Sequence, residues 1–167
     1  MAEIIKVYQE ALPPVRFIGK RYTNADRING GYGHLWGEWF ANGWFAALEN
    51  LGTVDGIENG QLGFMRCAPD FEYWIGMFLS PNTPVPDGYA FFDLPLRNVG
   101  ICWINGQQDD GSIFAMHDRC VAAVAENGMT PALGSDTFFF ERYICPRFTT
   151  EDEQGNVILD YGVYLAK

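Results

Sequence analysis

The stretch Asp136–Phe148, DTFFFERYICPRF, sets a glutamate and an arginine in the middle of an apolar run. Its length and aromatic content suit a strand, in which side chains alternate between faces. Phe139, Glu141, Tyr143 and Cys145 then share one side, and Phe138, Phe140, Arg142 and Ile144 share the other. A carboxylate sits among aromatics whichever side is covered. Such a group is either a satisfied structural carboxylate near a sheet rim or the polar anchor of a pocket. Adjacent strand residues face opposite ways, so Arg142 is a poor partner for Glu141, and the pocket role is favoured.

On either side of this strand the chain alternates short strands with two helical patterns. EIIKVYQEALPPVRFIGKRYT holds two strand-like runs interrupted at Pro13 and Pro14, where a ladder cannot continue. From Tyr32 to Leu51, apolar residues at three- and four-residue steps predict one amphipathic helix ending near Gly52, with Trp36, Trp39 and Trp44 on its buried stripe. Trp39, near the middle, is the candidate for a residue that packs and also walls a pocket. LGFMRCA and FEYWIGMFLS read as strands joined by a turn at Pro69 and Asp70. In the second, Tyr73, Ile75 and Met77 share one face, and Glu72, Trp74 and Gly76 the other; Gly76 would admit a ligand or side chain close to the sheet. The proline-rich SPNTPVPDGYAFFDLPL reads as a long connection. Beyond it follow a strand at NVGICWING, a helix from about Ser112, its N-cap, to Asn127, and strands at TFFFERYIC and VILDYGVYL around an acidic hairpin tip.

These elements make one α+β domain over residues 1–167, with halves at about 1–80 and 88–167 that share the order β, α, β, β but no residue-level identity. Two such units in antiparallel pairing give a curved sheet with two helices and a groove at their junction, where a small molecule is expected.

Bulk properties narrow the partners. The 167 residues are 48% hydrophobic and 16% aromatic, which fits a globular chain with a real core. Eleven basic residues against twenty-one acidic ones give a net charge of −10, which disfavours nucleic acid and anionic membranes. No run approaches a membrane span and the N-terminus lacks an apolar signal core, so a cytoplasmic protein is expected. Cys67, Cys102, Cys120 and Cys145 are scattered without CxxC pairs or histidines at ligand spacing, so neither a metal site nor a disulfide framework is expected. His34 and Glu38 read as a surface helix pair, and His117 beside Asp118 does not form a dyad, since neighbouring helix residues diverge.

The motifs LPPVRFIGKRY, GHLWGEWF, FEYWIGMFL, VPDGYAFFDLPLRNVGICWINGQ and FFFERYI, in this order, resemble the GyrI-like small-molecule-binding family. That family is also called the bacterial effector-binding domain and shares its fold with SOUL haem-binding proteins. The resemblance spans nearly the whole chain and implies a stand-alone member without a helix-turn-helix region. It implies that Glu141 faces the pocket, with Tyr143 as its neighbour, and meets cationic or polar parts of bulky aromatic ligands. Neither histidine lies in a ligating position, so no haem or other cofactor is expected. Phe139, Trp74, Glu72, Trp39, Tyr73 and Tyr161 complete the candidate ligand-binding set.

Two alternatives accompany the binding module. In some stand-alone relatives the domain is a hydrolase that opens cyclopropane-containing alkylating compounds; here Glu141 would act as general base on water, with Tyr143, or Tyr73 or Tyr161, orienting the water or donating to the developing anion. Other relatives engage gyrase, which makes a protein partner the third reading.

Overall fold

The computed structural model describes residues 1–67 and 69–167. The last residue of the LGFMRCA run, Ala68, lies outside the described residues.

Proline and glycine set the ends of the elements. β1 (Glu3–Leu12) and β2 (Val15–Thr23) flank Pro13 and Pro14. The expected single tryptophan helix is two, α1 (Gly33–Ala41) and α2 (Trp44–Glu49), because Gly43 between them is left-handed at φ 67°. Helices this short are marginal alone; burial of Leu35, Trp39, Phe45 and Leu48 holds them. β3 (Gln61–Arg66) and β4 (Glu72–Leu79) form the expected hairpin. The proline-rich connection contains a strand of its own, β5 (Ala90–Leu94), before β6 (Arg97–Gly106). Ser112 opens a 3-10 turn and caps nothing; α3 runs from His117 to Glu126. β7 (Phe138–Tyr143) and β8 (Val157–Tyr164) complete the chain.

Among the described residues eight strands form one antiparallel sheet in the order β1-β6-β8-β7-β3-β4-β2-β5. It is an α+β fold of two βαββ units: β2-α1/α2-β3-β4 and β6-α3-β7-β8 meet at the β3–β7 seam. The half-sheets are not contiguous stretches of chain. β1 pairs with β6, and β5 pairs with β2, so each half-sheet is finished by a strand from the far side of the other. Leu12 pairs with Arg97 just before the Pro13–Pro14 corner, and Val15 pairs with Leu94 just after it, so the two edges of the sheet meet there. Pro95 sits at the matching corner between β5 and β6, where no ladder donor is needed.

The sheet curls hard toward the face without helices. In a flat sheet β3 and β5 would lie about 14 Å apart, three spacings of ~4.8 Å. The rings of Phe64 and Phe92 on those strands are 5.2 Å apart. Closure is eased by Gly19 and Gly76, paired across β2 and β4, where a Cβ on either would collide with the partner strand's carbonyl. The close approach expected at Gly76 is therefore made by the backbone of Ile18 and Gly19. This inner face buries Phe17, Phe64, Trp74, Phe78, Phe140 and Tyr164. The other face carries α3 on one half and α1 with α2 on the other, each over its own apolar cluster.

Candidate functional site

β7 answers the question posed by its two charges in two ways. Arg142 points to the inner face, is fully buried, and donates to both Asp160 (2.9 and 3.0 Å) and Glu10 (2.9 and 3.1 Å). Arg147 completes the network, donating to Asp160 at 2.6 and 2.8 Å and to Glu58 at 2.7 and 3.0 Å. Every charge there has a partner of opposite sign, which is what makes its burial tolerable.

Glu141 points to the helix face and, among the described residues, has no cation against it. Its partners are hydroxyls: Tyr73 donates to Oε1 at 3.2 Å and Tyr143 to Oε2 at 3.3 Å. The Tyr73 hydroxyl in turn accepts from Trp36 Nε1 at 3.0 Å, which fixes the direction of its own proton. Glycine at position 63, directly opposite Glu141 across the β3–β7 seam, makes room for this: a Cβ there would collide with the Tyr73 hydroxyl and lie 3.1 Å from Glu141 Oε1. Desolvation pushes the Glu141 carboxyl up to about 7, against the downward pull of the two hydroxyl hydrogen bonds. Burial, reinforced by the neighbouring Glu141 charge, holds the Tyr73 and Tyr143 phenols well above their usual range.

What surface Glu141 retains faces a cavity of about 1010 Å³. The sheet supplies Met65, Tyr73, Met77, Glu141 and Tyr143; α1 and the turn before it supply Tyr32, Trp36 and Phe40. Gln108 and Phe114, from the segment that precedes α3, reach the same space. Tyr32 stacks on Tyr73 with centroids 4.2 Å apart, and Tyr143 lies between Trp36 (4.9 Å) and Phe148 (4.7 Å), edge on to both. Contacts of this kind contribute about 0.5–1.5 kcal/mol each, so the wall is preformed.

Of the residues proposed from sequence, the structure brings Glu141, Tyr143 and Tyr73 together at the cavity. The other five lie elsewhere. Trp39 is wholly buried behind the wall and donates to the Tyr22 hydroxyl at 3.0 Å; its neighbour one turn earlier, Trp36, lines the cavity. Trp74 is on the inner face against Phe17 and Phe92. Glu72 is held by Arg21 at 2.5 Å, with Arg66 at 3.7 Å. Phe139 and Tyr161 share the helix face with Glu141 but are covered by α3, where both pack against His117 and the Tyr161 hydroxyl hydrogen-bonds His117 Nδ1. Burial lowers the His117 pKa. Sequence reasoning missed Tyr32, Phe71, Phe114 and Phe148. Phe148 stands in the opening stretch itself; Tyr32 reads from the sequence as the start of the packed helical stripe and Phe114 as part of the helix expected from Ser112, whereas both precede their helices and line the cavity.

Among the described residues no group of histidine, cysteine or acidic side chains could hold a metal ion, and no helix is long and apolar enough to cross a membrane. All four cysteines are free thiols.

No protein-family model matches the chain, and no curated protein matches it. Solved structures do share its fold. One is a bacterial transcription regulation protein from Staphylococcus aureus MU50, 14% identical with a TM-score of 0.65, covering 98% of this chain and 99% of the other. Another is SAV2435 bound to tetraphenylphosphonium, 15% identical with a TM-score of 0.69, covering 97% and 94%. A hydrolase from Listeria innocua is 13% identical with a TM-score of 0.52, covering 96% and 92%. At these identities the likeness is one of fold.

Proposed function

We propose that this protein binds a bulky, aromatic, cationic small molecule in the cavity over the β3–β7 seam, with Glu141 as its polar anchor. The observation that carries the reading is an uncompensated carboxylate, held by two tyrosine hydroxyls, at the floor of an aromatic cavity large enough for a drug-sized ligand. Aromatic walls supply stacking and apolar contact, and a cation restores to Glu141 the counter-charge that the protein withholds. Tetraphenylphosphonium, bound by a protein of the same fold, has this chemistry and supports the assignment of the chain to the GyrI-like family. Four free thiols suit a reducing, cytoplasmic setting.

Titration calorimetry with tetraphenylphosphonium tests the reading. Wild type binds well above pH 7 and loses affinity about tenfold per pH unit below it, as protonation removes the counter-charge. Glu141→Gln binds more weakly at pH 8 and shows no such dependence. Equal, pH-independent binding by both proteins would refute the anchor role.

The hydrolase reading has one observation in its favour: a carboxyl pushed up to about 7 is poised as a general base at neutral pH. In that scheme Glu141 takes a proton from water, the water oxygen bonds to a cyclopropane carbon, and the released ring electron pair passes to an acceptor conjugated with the ring. Water-adduct formation from such a compound, seen by mass spectrometry with wild type and absent with Glu141→Gln, separates turnover from binding. A surface for a protein partner would be shallower than this cavity.

A further inference from the structure

The cavity also has a positive charge in its lining, on a solvent-exposed side chain. Arg27 lines it, in the chain that leads into α1. Its position is built: Nε donates to the Tyr32 hydroxyl at 3.2 Å, that hydroxyl donates to the Thr23 carbonyl at 3.0 Å, and the guanidinium lies 5.2 Å from the Tyr32 ring and 5.1 Å from the Phe71 ring. Among the described residues no carboxylate pairs with it, and its two terminal nitrogens have no hydrogen-bond partner. Glu49, the remaining charged residue of the lining, is exposed, as Arg27 is, and is not hydrogen-bonded to it.

Arg27 and Glu141 stand at the two ends of one aromatic stack. The guanidinium contacts Tyr32, Tyr32 lies flat on Tyr73, and Tyr73 donates to Glu141. A purely cationic ligand would satisfy Glu141 and be opposed by Arg27. We propose that the ligand is dipolar: an aromatic body whose cationic end meets Glu141 and whose other end carries a carboxylate or a comparable planar anion for the open fork of Arg27. This rests on the reading of the cavity as a ligand site and narrows its chemistry. Arginine is suited to the task because its free nitrogens present two parallel donors to one carboxylate.

A matched dye pair tests it: a rhodamine with a free benzoate and the methyl ester of the same dye, which differ only in the anionic group. Fluorescence anisotropy at pH 8 gives both affinities. The acid binds wild type about two- to fivefold tighter than the ester, the range for a solvent-accessible ion pair. Arg27→Gln removes the preference for the acid over the ester, and Arg27→Lys, which keeps the charge, restores part of it. Equal binding of acid and ester by wild type, or a preference that survives in Arg27→Gln, overturns the dipolar ligand alone. Binding of neither dye counts against the cavity as an aromatic-cation site and overturns this inference with it.

Discussion

Replacing Glu141 by glutamine removes a charge that destabilises the fold, so the variant should be the more stable protein at alkaline pH. The carboxyl titrates near 4.5 when unfolded and about 7 when folded, with desolvation as the main cause. Because the folded value is the higher, the folded state holds this proton more tightly. Below pH 4.5 both states are protonated and nothing is lost. As pH rises from 4.5 to 7 the unfolded chain releases the proton first, folding is progressively disfavoured, and above 7 the full penalty remains. At 1.36 kcal/mol per pH unit the upper bound is about 3 kcal/mol. The carboxylate still touches the cavity, so water will recover part of this, and about 1–3 kcal/mol is expected. Glutamine keeps the geometry, accepting from Tyr73 through its oxygen and donating to the Tyr143 hydroxyl through its nitrogen. Urea unfolding of both proteins at pH 4 and pH 8 reads the difference directly. The variant should match wild type at pH 4 and exceed it at pH 8. A stability difference that does not change with pH, or a more stable wild type at pH 8, would refute the claim that Glu141 is an uncompensated charge.

Two other substitutions probe the same strand from its two sides. Gly63→Ala places a Cβ against the Tyr73 hydroxyl, so that hydroxyl must leave Glu141; stability should fall by about 1–3 kcal/mol and tetraphenylphosphonium affinity by about tenfold, measured by thermal unfolding and calorimetry. An alanine variant that binds as wild type does would show that the Tyr73 contact is dispensable. Arg142→Ala leaves Glu10 without a cation and Asp160 with Arg147 alone, and should cost about 3–5 kcal/mol in urea unfolding; a loss below about 1 kcal/mol would mean that the network is solvated.

The contrast between Glu141 and Arg142 separates what the sequence determines from what the fold adds. Two-residue alternation alone assigns them to opposite faces, because the strand repeat is a local property of the backbone. The same local rule sorts Tyr73 from Trp74 and makes proline corners and left-handed glycines into element ends. Local rules also explain the errors. A five-residue edge strand such as β5, set between Pro86 and Pro95, is hidden by the prolines that flank it, and the left-handed Gly43 divides a helix whose apolar period runs straight through it.

Only the tertiary structure decides which face is lined by ligand-sized space. Phe139, Glu141 and Tyr143 share a face, yet α3 covers the first while the gap between the helical layers leaves the other two open. Trp36 reaches the cavity and Trp39 does not, since a helix stripe is wider than the line of contact it makes with the sheet. The partners that set the character of Glu141 are distant in the chain: Tyr73 lies 68 residues from it, Trp36 a further 37 from Tyr73, and Gly63 faces it only across the seam. Residue type and alternation fix that a carboxylate lies among aromatics; its pKa and its access to a ligand depend on the curvature of the sheet and the docking of the helices, which are sums over contacts that no local window contains.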